Sequence, residues 1–411
     1  MDQIKLGVVG CGNRSRGLIE GLFIPHLKEK IRVTALADEF IDRAEKLKES
    51  CDAAYSQSTF ISSDWHELLD KNKVDAILVV SGWESHIPVV LASLKAGIPV
   101  GTEVGGAYSV DQCWTLVHTV EETGTKFMFM ENCCYGRSEL LCMNMADMGL
   151  FGEIMHCTGA YLHDLRKEIS NGLENHHYRL RNHIGRNCDN YPTHDLGPIS
   201  KLLGINKNNR LLTLTSTATE ARGINTFALA EGGIYEPLQY QRVAQGDIVN
   251  TNIKCAGGQT ISLTFGTTLP RPYSRDFGVY GTKGCYTNQN RSVFLLTDHT
   301  SKDGDHWQAN WGNEDQYREK YDHPIWQKFL KDGVVGGHGG MDGLIYGIFA
   351  DYVADKAKCP IDVYDAATWM SISPLSEQSV AMGGMPVAIP DFTNGRWLMG
   401  LGKKTPLFGA E

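Results

Sequence analysis

The clearest indication of the fold lies near the start of the chain, in Leu6-Gly7-Val8-Val9-Gly10-Cys11-Gly12-Asn13-Arg14-Ser15. The apolar residues 6–9 predict a strand. Gly10 and Gly12 let the backbone turn tightly and approach a pyrophosphate, to which a following helix offers unpaired N–H groups and its positive end. Ser15 stands at the third glycine position of this fingerprint and Gly17 follows, which predicts a slightly longer loop than usual.

Short apolar runs and helical patterns alternate through residues 1–130. We predict strands at 5–9, 32–37, 76–80, 99–102 and 126–130. We predict helices between them at 42–49, 65–71, 86–96 and 110–122. This βαβ rhythm is typical of a doubly wound parallel sheet, so the predicted class is α/β with an N-terminal Rossmann domain.

An acidic residue, Asp38, ends the second predicted strand. Its carboxylate can accept both ribose hydroxyls of NAD and would repel the 2′-phosphate of NADP, and no basic residue stands next to it. The alternative is a structural turn beside a solvated Asp38. The complete predicted NAD site is Gly10, Gly12, Asn13, Arg14, Ser15, Asp38, Trp83, Glu84, Ser85, His86, Glu103, Val104 and Asn132. Of these, Trp83 and His86 could equally plug and cap the start of a helix.

The pattern changes after residue 130, so we predict a second, substrate-binding domain over residues 131–411. A helix at 140–148 precedes strands at 154–162, 211–219, 247–256, 259–268, 277–280 and 292–297. Gly257-Gly258 predicts a two-residue hairpin turn within a large, mostly antiparallel sheet that is open on one face. Residues 302–324 predict a loop with a short helix, and further helices are expected at 341–356 and from Tyr364. The tail from Pro386 is expected to wrap the surface or a partner subunit.

Composition excludes several classes of function. The chain has 411 residues, 42% of them hydrophobic, and a net charge of -9 without an extended basic cluster, so nucleic acid is not an expected partner. No stretch approaches the roughly 20 apolar residues that span a bilayer. The first strand follows Met1 almost at once, and the eleven cysteines form no Cys-x-x-Cys pair. We therefore expect reduced thiols, no signal peptide and a cytoplasmic location.

A second chemical motif, Tyr191-Pro192-Thr193-His194, lies far downstream of the glycine fingerprint. Proline restricts the backbone that carries the tyrosine and the histidine, which favours a fixed geometry. Imidazole titrates near neutral pH and is the commonest general base. We interpret this motif as proton-transfer machinery that works opposite a nicotinamide.

The order of domains resembles the glucose–fructose oxidoreductase/inositol dehydrogenase superfamily. Most dehydrogenases of that group carry Glu-Lys-Pro after the fourth strand, whereas this chain has Glu103-Val104-Gly105 and lacks the lysine. A narrower resemblance, through essentially the whole chain, is to glycoside hydrolase family 109. It is carried by five segments: Glu-Asn-Cys-Cys-Tyr from Glu131, Gly-Ala-Tyr-Leu-His-Asp-Leu-Arg from Gly159, Tyr-Pro-Thr-His-Asp-Leu-Gly-Pro from Tyr191, His-Gly-Gly-Met-Asp from His338 and Pro-Ile-Asp-Val-Tyr-Asp-Ala-Ala from Pro360.

This resemblance implies an NAD-dependent α-N-acetylgalactosaminidase that oxidises C3 of the sugar, eliminates the aglycone across C1–C2, adds water and reduces C3 again, with retention. It implies that NAD stays tightly bound and is recycled each turnover, and that Tyr161 and His194 are catalytic. The substrate contacts it implies are Glu131, Tyr161, Arg179, Tyr191, His194 and Tyr273. Asp195 departs from the glycine that usually follows the histidine in the family.

Each of these residues could also have a purely structural role, since a tyrosine on a strand usually packs in the core or at its rim and a histidine in a loop usually caps a helix or lies at the surface. Two rival functions are a sugar or polyol dehydrogenase with net NADH production and a non-catalytic NAD-binding sensor. The histidines His176, His177 and His183 near Cys188 match no metal-ligand spacing, so no metal is predicted. A carbohydrate is the expected partner, and the open sheet predicts a homo-oligomer.

Overall fold

The computed structural model describes residues 3–298 and 310–400. The strands are β1 Ile4–Val9, β2 Ile31–Ala37, β3 Phe60–Ser62, β4 Ala76–Val79, β5 Val100–Thr102, β6 Phe127–Phe129, β7 Ile154–Leu162, β8 Leu211–Ala218, β9 Val249–Cys255, β10 Thr260–Gly266, β11 Gly278–Gly281, β12 Gly284–Thr287, β13 Ser292–Leu295 and β14 Val387–Ala388. The α-helices are α1 Asn13–Leu18, α2 Ile24–His26, α3 Ile41–Tyr55, α4 Trp83–Lys95, α5 Val110–Thr123, α6 Arg137–Asp147, α7 Arg166–Ser170, α8 Gly172–Asn175, α9 Tyr178–Gly185, α10 Thr193–Leu202, α11 Gly223–Glu231, α12 Glu314–Tyr321, α13 Pro324–Asp332, α14 Met341–Val353, α15 Val363–Met370 and α16 Ile372–Ala381.

One compact unit comprises residues 3–135 and 329–370. Its six-stranded sheet has the order β3-β2-β1-β4-β5-β6, and all five pairings are parallel. This order is that of a dinucleotide-binding Rossmann sheet and confirms the predicted fold class. The sequence pattern missed the three-residue strand β3. The predicted helix at 65–71 is a 3₁₀-helix, Trp65–Leu68.

Helices α14 and α15 complete this first unit from far along the chain. The backbone N–H of Phe129 donates to the carbonyl of Ile361 at 3.1 Å, and the Trp369 ring meets the Phe129 ring edge-on at 6.2 Å. Gly101 in β5 makes room for Phe349 of α14, because a Cβ at this position would lie 2.9 Å from the Phe349 ring. The predicted division after residue 130 stays a prediction, and it does not include this return of residues 329–370.

The second unit comprises residues 136–298, 310–328 and 371–400. Its eight-stranded sheet has the order β13-β12-β11-β7-β10-β9-β8-β14, in which only β7 and β10 pair in parallel. The mostly antiparallel sheet was predicted, but β12 and β14 were not. The predicted hairpin turn is wrong in length: the Cys255 N–H donates to the Gln259 carbonyl, which leaves three residues, 256–258, in the loop.

Strand register fixes which side chains share a face of the second sheet. Tyr161 pairs with Phe265, and Gly159 pairs with Leu263, so all four lie on the face that buries them. Helix α10 packs on this face, close to Gly159. The opposite face carries polar pairs, such as the Ser262 hydroxyl donating to Asn252 at 2.7 Å, as expected for an open face.

Two general predictions can be compared with the described residues. None of the eleven cysteines forms a disulfide bond, and nine of them are buried. Within residues 3–298 and 310–400, no helix is both long enough and apolar enough to cross a membrane. The predicted loop at 302–324 lies partly outside the described residues, which include helix α12 of that segment.

Candidate active site

The glycine loop of the first unit has the shape that a dinucleotide requires. Gly10 adopts a φ of 95°, and a Cβ there would lie 2.5 Å from the backbone of Ser81, so only glycine fits. The buried Ser15 hydroxyl donates to the Gly10 carbonyl and holds the turn. Space beside Gly12 is open, since a Cβ there would meet nothing within 4 Å. The loop therefore offers an anion an unobstructed approach to the start of α1, where Asn13 is exposed.

Asp38 is fixed at the carboxyl end of β2. One carboxylate oxygen accepts the Cys11 N–H at 2.6 Å and the other accepts the Phe40 N–H at 2.9 Å. These bonds orient the carboxylate beside the glycine loop, as predicted for a ribose contact. The geometry fits NAD, and the individual contacts of Asp38 with the nucleotide stay predictions.

The predicted residues at the start of α4 have packing roles. Trp83 and His86 are buried and fill the space beside Gly105 and Gly106, whose φ angles are 84° and 107°. The His86 ring lies between the carbonyls of Ser81 and Gly105, at 2.9 and 3.3 Å, and burial lowers its pKa. Trp83 thus packs as the plug considered from the sequence, whereas His86 bonds to carbonyls and does not cap the helix, whose start has no side-chain cap. The cofactor contacts predicted for both residues stay predictions.

The remaining predicted cofactor residues differ in their exposure. Ser85 bonds to the Ser81 hydroxyl at 2.6 Å, and Glu84 is exposed. Val104 is buried and donates its N–H to Glu103 at 3.3 Å. The cofactor contacts predicted for these residues stay predictions.

A cluster of four side chains forms in the second unit. Tyr161 lies near the end of β7, Arg179 in α9, and Tyr191 and His194 around the start of α10. The ring centroids of Tyr161 and Tyr191 are 4.4 Å apart, and His194 lies 5.6 Å from Tyr161 and 4.7 Å from Tyr191. Arg179, Tyr191 and His194, which follow Tyr161 by 18 to 33 positions, are therefore brought close enough to contact one sugar ring.

Close packing of α10 on β7 brings the histidine to Tyr161. A Cβ on Gly159 would lie 2.7 Å from the Cβ of Asp195, the buried residue that follows His194. Glycine at position 159 therefore permits this approach. Asp195 accepts the Leu196 N–H at 3.0 Å, in the first turn of the helix.

Arg179 supplies a buried positive charge to the cluster. Its guanidinium carbon lies 4.9 Å from the Tyr191 ring centroid and 5.9 Å from that of Tyr161, and its Nε lies 3.1 Å from Glu168. Burial alone would lower the pKa of Arg179, but Tyr178, Tyr161, Tyr191 and Glu168 outweigh it and raise the pKa. The cation is therefore permanent, and cation–π contacts of this kind contribute about 0.5–2 kcal/mol each.

Tyr273 and His163 border the same cluster. The His163 ring lies 5.1 Å from the Tyr273 ring and 6.1 Å from the Tyr161 ring, and burial lowers the pKa of His163. Tyr273 is 47% exposed, which leaves much of its surface available to a ligand.

Sequence reasoning missed two residues that support Tyr273. Arg275 donates to the Tyr273 hydroxyl at 3.4 Å and forms an ion pair of 2.7 Å with the buried Glu139 of α6. The position of Arg275, two residues after Tyr273, was the signal available in the sequence. Its partner Glu139 gave none, because an ion pair between residues so distant in the chain depends on the tertiary fold.

Glu131, the remaining predicted substrate contact, belongs to the first unit. It is buried after β6, and its carboxylate accepts the Cys133 N–H at 3.0 Å.

Another buried carboxylate, that of Asp189, lies in the second unit and accepts the Tyr191 N–H at 3.4 Å. Burial raises the pKa of Asp189 to about 7. Asp189, two residues before Tyr191, is a further residue that the sequence pattern did not indicate.

Comparison with known proteins agrees with both units. Residues 4–131 match the oxidoreductase family with an NAD-binding Rossmann fold, and residues 135–399 match the C-terminal domain of glycosyl hydrolase 109. An α-N-acetylgalactosaminidase from Tannerella forsythia is 39% identical over 82% of this chain and 74% of its own length. A glycosyl hydrolase family 109 protein from Stenotrophomonas maltophilia is 33% identical over 100% of this chain and 92% of its own.

Solved structures are similar at the level of the fold. A levoglucosan dehydrogenase in complex with NADH has a TM-score of 0.69 and 15% identity, and the match covers 95% of this chain and 100% of that one. At such low identity the likeness concerns the fold alone. The chain matches two family models and resembles these relatives over most of its length. It therefore belongs to glycosyl hydrolase family 109 and is an NAD-dependent glycoside hydrolase.

Proposed function

We propose that the enzyme cleaves α-N-acetylgalactosaminides by transient oxidation of the sugar at C3. The observation that carries this proposal is the cluster of Tyr161, Tyr191 and His194 beside the cation of Arg179, in which both tyrosines and the arginine are buried. Two potential bases with a permanent positive charge suit a reaction that removes two different protons. The names of relatives such as the Tannerella forsythia α-N-acetylgalactosaminidase support the choice of sugar.

NAD would be held by the glycine loop, by Asp38 and by the residues at the ends of β4, β5 and β6. When bound there, NAD would supply a hydride acceptor for C3 of the sugar and, once reduced, the hydride donor for the final reduction of C3. The open space beside Gly12 and the fixed carboxylate of Asp38 are the features that fit this cofactor.

His194 takes the proton of the C3 hydroxyl while that carbon is oxidised to a ketone. The ketone in turn acidifies the hydrogen on C2, because the carbanion that forms at C2 is delocalised onto the carbonyl oxygen. Tyr161 removes this second proton as a phenolate. The Arg179 guanidinium, 5.9 Å from the Tyr161 ring, favours the charged form of the phenol because opposite charges attract strongly where water is excluded.

Loss of the C2 proton expels the aglycone from C1 and leaves a C1–C2 double bond conjugated to the ketone. Water then adds its hydroxyl at C1, and the proton that it gives up goes to the aglycone oxygen, which left as an anion. Tyr161, whose phenolic proton exchanges with solvent in the meantime, protonates C2, and His194 returns its proton to the C3 oxygen as the hydride returns to C3. The sum is hydrolysis with no net oxidation. Tyr191 and Tyr273 would orient the ring through its hydroxyl groups, and the substrate contact of Glu131 stays a prediction.

Several finer expectations accompany this proposal. We expect that NAD stays bound between turnovers and that no metal takes part. We also expect that the linkage is cleaved with retention and that the protein is a cytoplasmic homo-oligomer. Each stays a prediction.

An assay with two simultaneous readouts tests the proposed function. The purified enzyme is incubated with nitrophenyl α-N-acetylgalactosaminide while nitrophenol and NADH are followed by absorbance. We expect nitrophenol to accumulate over many turnovers while NADH never exceeds the enzyme concentration, because each hydride is returned. The same reaction in heavy water should place deuterium at C2 of the released sugar.

Two other results would contradict the proposal. NADH produced in equal amount to the sugar consumed would instead identify a dehydrogenase with net hydride transfer. Nitrophenol release without deuterium at C2 would remove the elimination step.

A further inference from the structure

Asp342 lies at the centre of a hydrogen-bond network in the first unit. It is the second residue of α14 and is buried, with 2% of its surface exposed. Arg14 donates to its two oxygens at 2.7 and 2.9 Å, and Asn132 donates to it at 2.9 Å. The His338 ring lies 2.8 Å from the same carboxylate. The carboxylate therefore gathers three groups from separate parts of the chain.

The network continues from Arg14 to the end of β5. The Arg14 Nε donates to Glu103 at 2.8 Å, and the Tyr346 hydroxyl donates to the same carboxylate oxygen at 2.5 Å. Arg14, Glu103 and Asn132 stand after β1, β5 and β6. Each is a residue that the sequence predicted for NAD binding, whereas Asp342 and Tyr346 were not.

The charges in this network are stable. Burial alone would raise the pKa of Asp342, but hydrogen bonds from Arg14 and His338 and their charges outweigh it and lower the pKa. Two parallel N–H bonds from one guanidinium to one carboxylate fix the plane of the arginine as well as its position. Asp342 therefore restrains a long side chain that would otherwise sample many rotamers.

The backbone before Asp342 adopts an unusual conformation that keeps the carboxylate in place. His338 has a φ of 52°, and Gly339 and Gly340 follow with φ angles of 66° and 98°. A left-handed histidine is uncommon and persists only where its surroundings hold it. Here the bond between the His338 ring and Asp342 closes the turn that starts α14.

We propose that Asp342 is a positioning residue for the nicotinamide half of the NAD site. It acts by holding Arg14 against Glu103, and by holding Asn132. The inference rests on the proposed use of NAD and extends it to residues outside the glycine loop. Arg14 also supplies a cation beside Glu103, where Val104 stands in place of the lysine found in most dehydrogenases of the wider superfamily.

The order of strands assigns this network to one half of the dinucleotide. Asp38 follows β2, on one side of β1, whereas Glu103 and Asn132 follow β5 and β6 on the other side. A Rossmann sheet binds the two nucleotides of NAD on opposite sides of its central strand, with Asp38 at the adenosine ribose. Loss of Asp342 should thus affect NAD more than AMP.

The experiment compares nucleotide affinities of the whole protein after bound nucleotide has been stripped. In Asp342→Asn, we expect NAD to bind roughly ten- to hundredfold more weakly, the effect of losing a charge-assisted bidentate contact. AMP affinity should stay within about threefold, a change of less than 1 kcal/mol. A purely structural role for Asp342 would weaken both ligands together or lower the melting temperature without this difference.

A matched control uses another aspartate of the same helix. Asp351 of α14 forms an ion pair of 2.7 Å with Lys30, away from the glycine loop. Asp351→Asn removes a comparable charge, and we expect its NAD affinity to stay within about twofold of that of the original protein, because exposed ion pairs contribute little.

Arg14→Lys provides a second variant if Asp342→Asn does not fold. It keeps the charge and loses the bidentate contact, so NAD should weaken while AMP is retained. Where both single variants fold, the double variant should lose no more NAD affinity than either one, because the two residues act as a pair.

Unchanged NAD affinity in Asp342→Asn, or equal losses of NAD and AMP, would overturn the positioning role. If the unsubstituted protein still cleaves substrate in that case, the proposed function is unaffected. If the unsubstituted protein binds no NAD, both the positioning role and the proposed function are overturned.

Discussion

Tyr161→Phe is expected to lower kcat by at least about a hundredfold, because loss of a positioned general base usually costs that much. The substitution removes only the phenolic hydroxyl, so the ring contacts with Tyr191 at 4.4 Å and with Phe265 at 6.4 Å are retained. Folding should therefore be little changed. The step that fails is removal of the C2 proton.

The point at which this variant stops can be measured directly. Because His194 remains, C3 should still be oxidised, and mixing with substrate should give NADH equal to the enzyme concentration without release of the aglycone. Tyr286→Phe is a matched control, since it removes a buried hydroxyl from β12 of the same sheet. A Tyr161→Phe enzyme that releases aglycone at the normal rate would exclude Tyr161 as the base.

His194→Ala is expected to cause a loss of similar size, at least about a hundredfold in kcat, but at an earlier step. Without the imidazole, the C3 hydroxyl has no acceptor for its proton, so neither NADH nor aglycone should appear. The difference in NADH between the two variants separates the two proposed bases. The measurement is a single turnover followed by absorbance.

A matched control for this histidine is His156 on the open face of the sheet. Its ring bonds to the Thr260 hydroxyl at 2.8 Å, and His156→Ala should leave turnover within about twofold, as is usual for surface positions. His194→Ala that still forms NADH at the normal rate would assign the first proton to another group.

Most of the fold was predictable because it depends on local pattern. The strands β1, β2, β4, β5 and β6 follow apolar runs, and the longer strands of the second unit alternate in the expected way. The strand β14 has only two residues, which are too few to produce a periodic signal. The strand β3 is as long as β5 and β6, but polar residues flank it on both sides, so no apolar run marks it. The hairpin after β9 was wrong by one residue because glycine pairs are compatible with loops of two or three residues.

The return of residues 329–370 to the first unit was not predictable from local pattern. The sequence indicated the helices α14 and α15 but carried no sign of the strand on which they pack. Contacts such as Phe129 with Ile361 join positions far apart in the chain, and a single sequence does not specify them.

The residues of the candidate site differ in the same way, between those that local sequence indicates and those that depend on tertiary contacts. The residues Tyr161, Arg179, Tyr191 and His194 came from motifs that resemble a known family, and the structure places them together. The residues that hold others in place, Asp342 for Arg14 and Arg275 for Tyr273, were missed. Their importance depends on partners that only folding brings near.

The central claim is that the sugar must be oxidised at C3 before its anomeric bond can break. The most direct test is nitrophenyl α-N-acetylgalactosaminide in which hydrogen replaces the C3 hydroxyl, given to enzyme that cleaves the normal substrate. The proposal predicts that this compound releases no nitrophenol and acts as a competitive inhibitor. Release of nitrophenol at a rate near that of the normal substrate would contradict the claim.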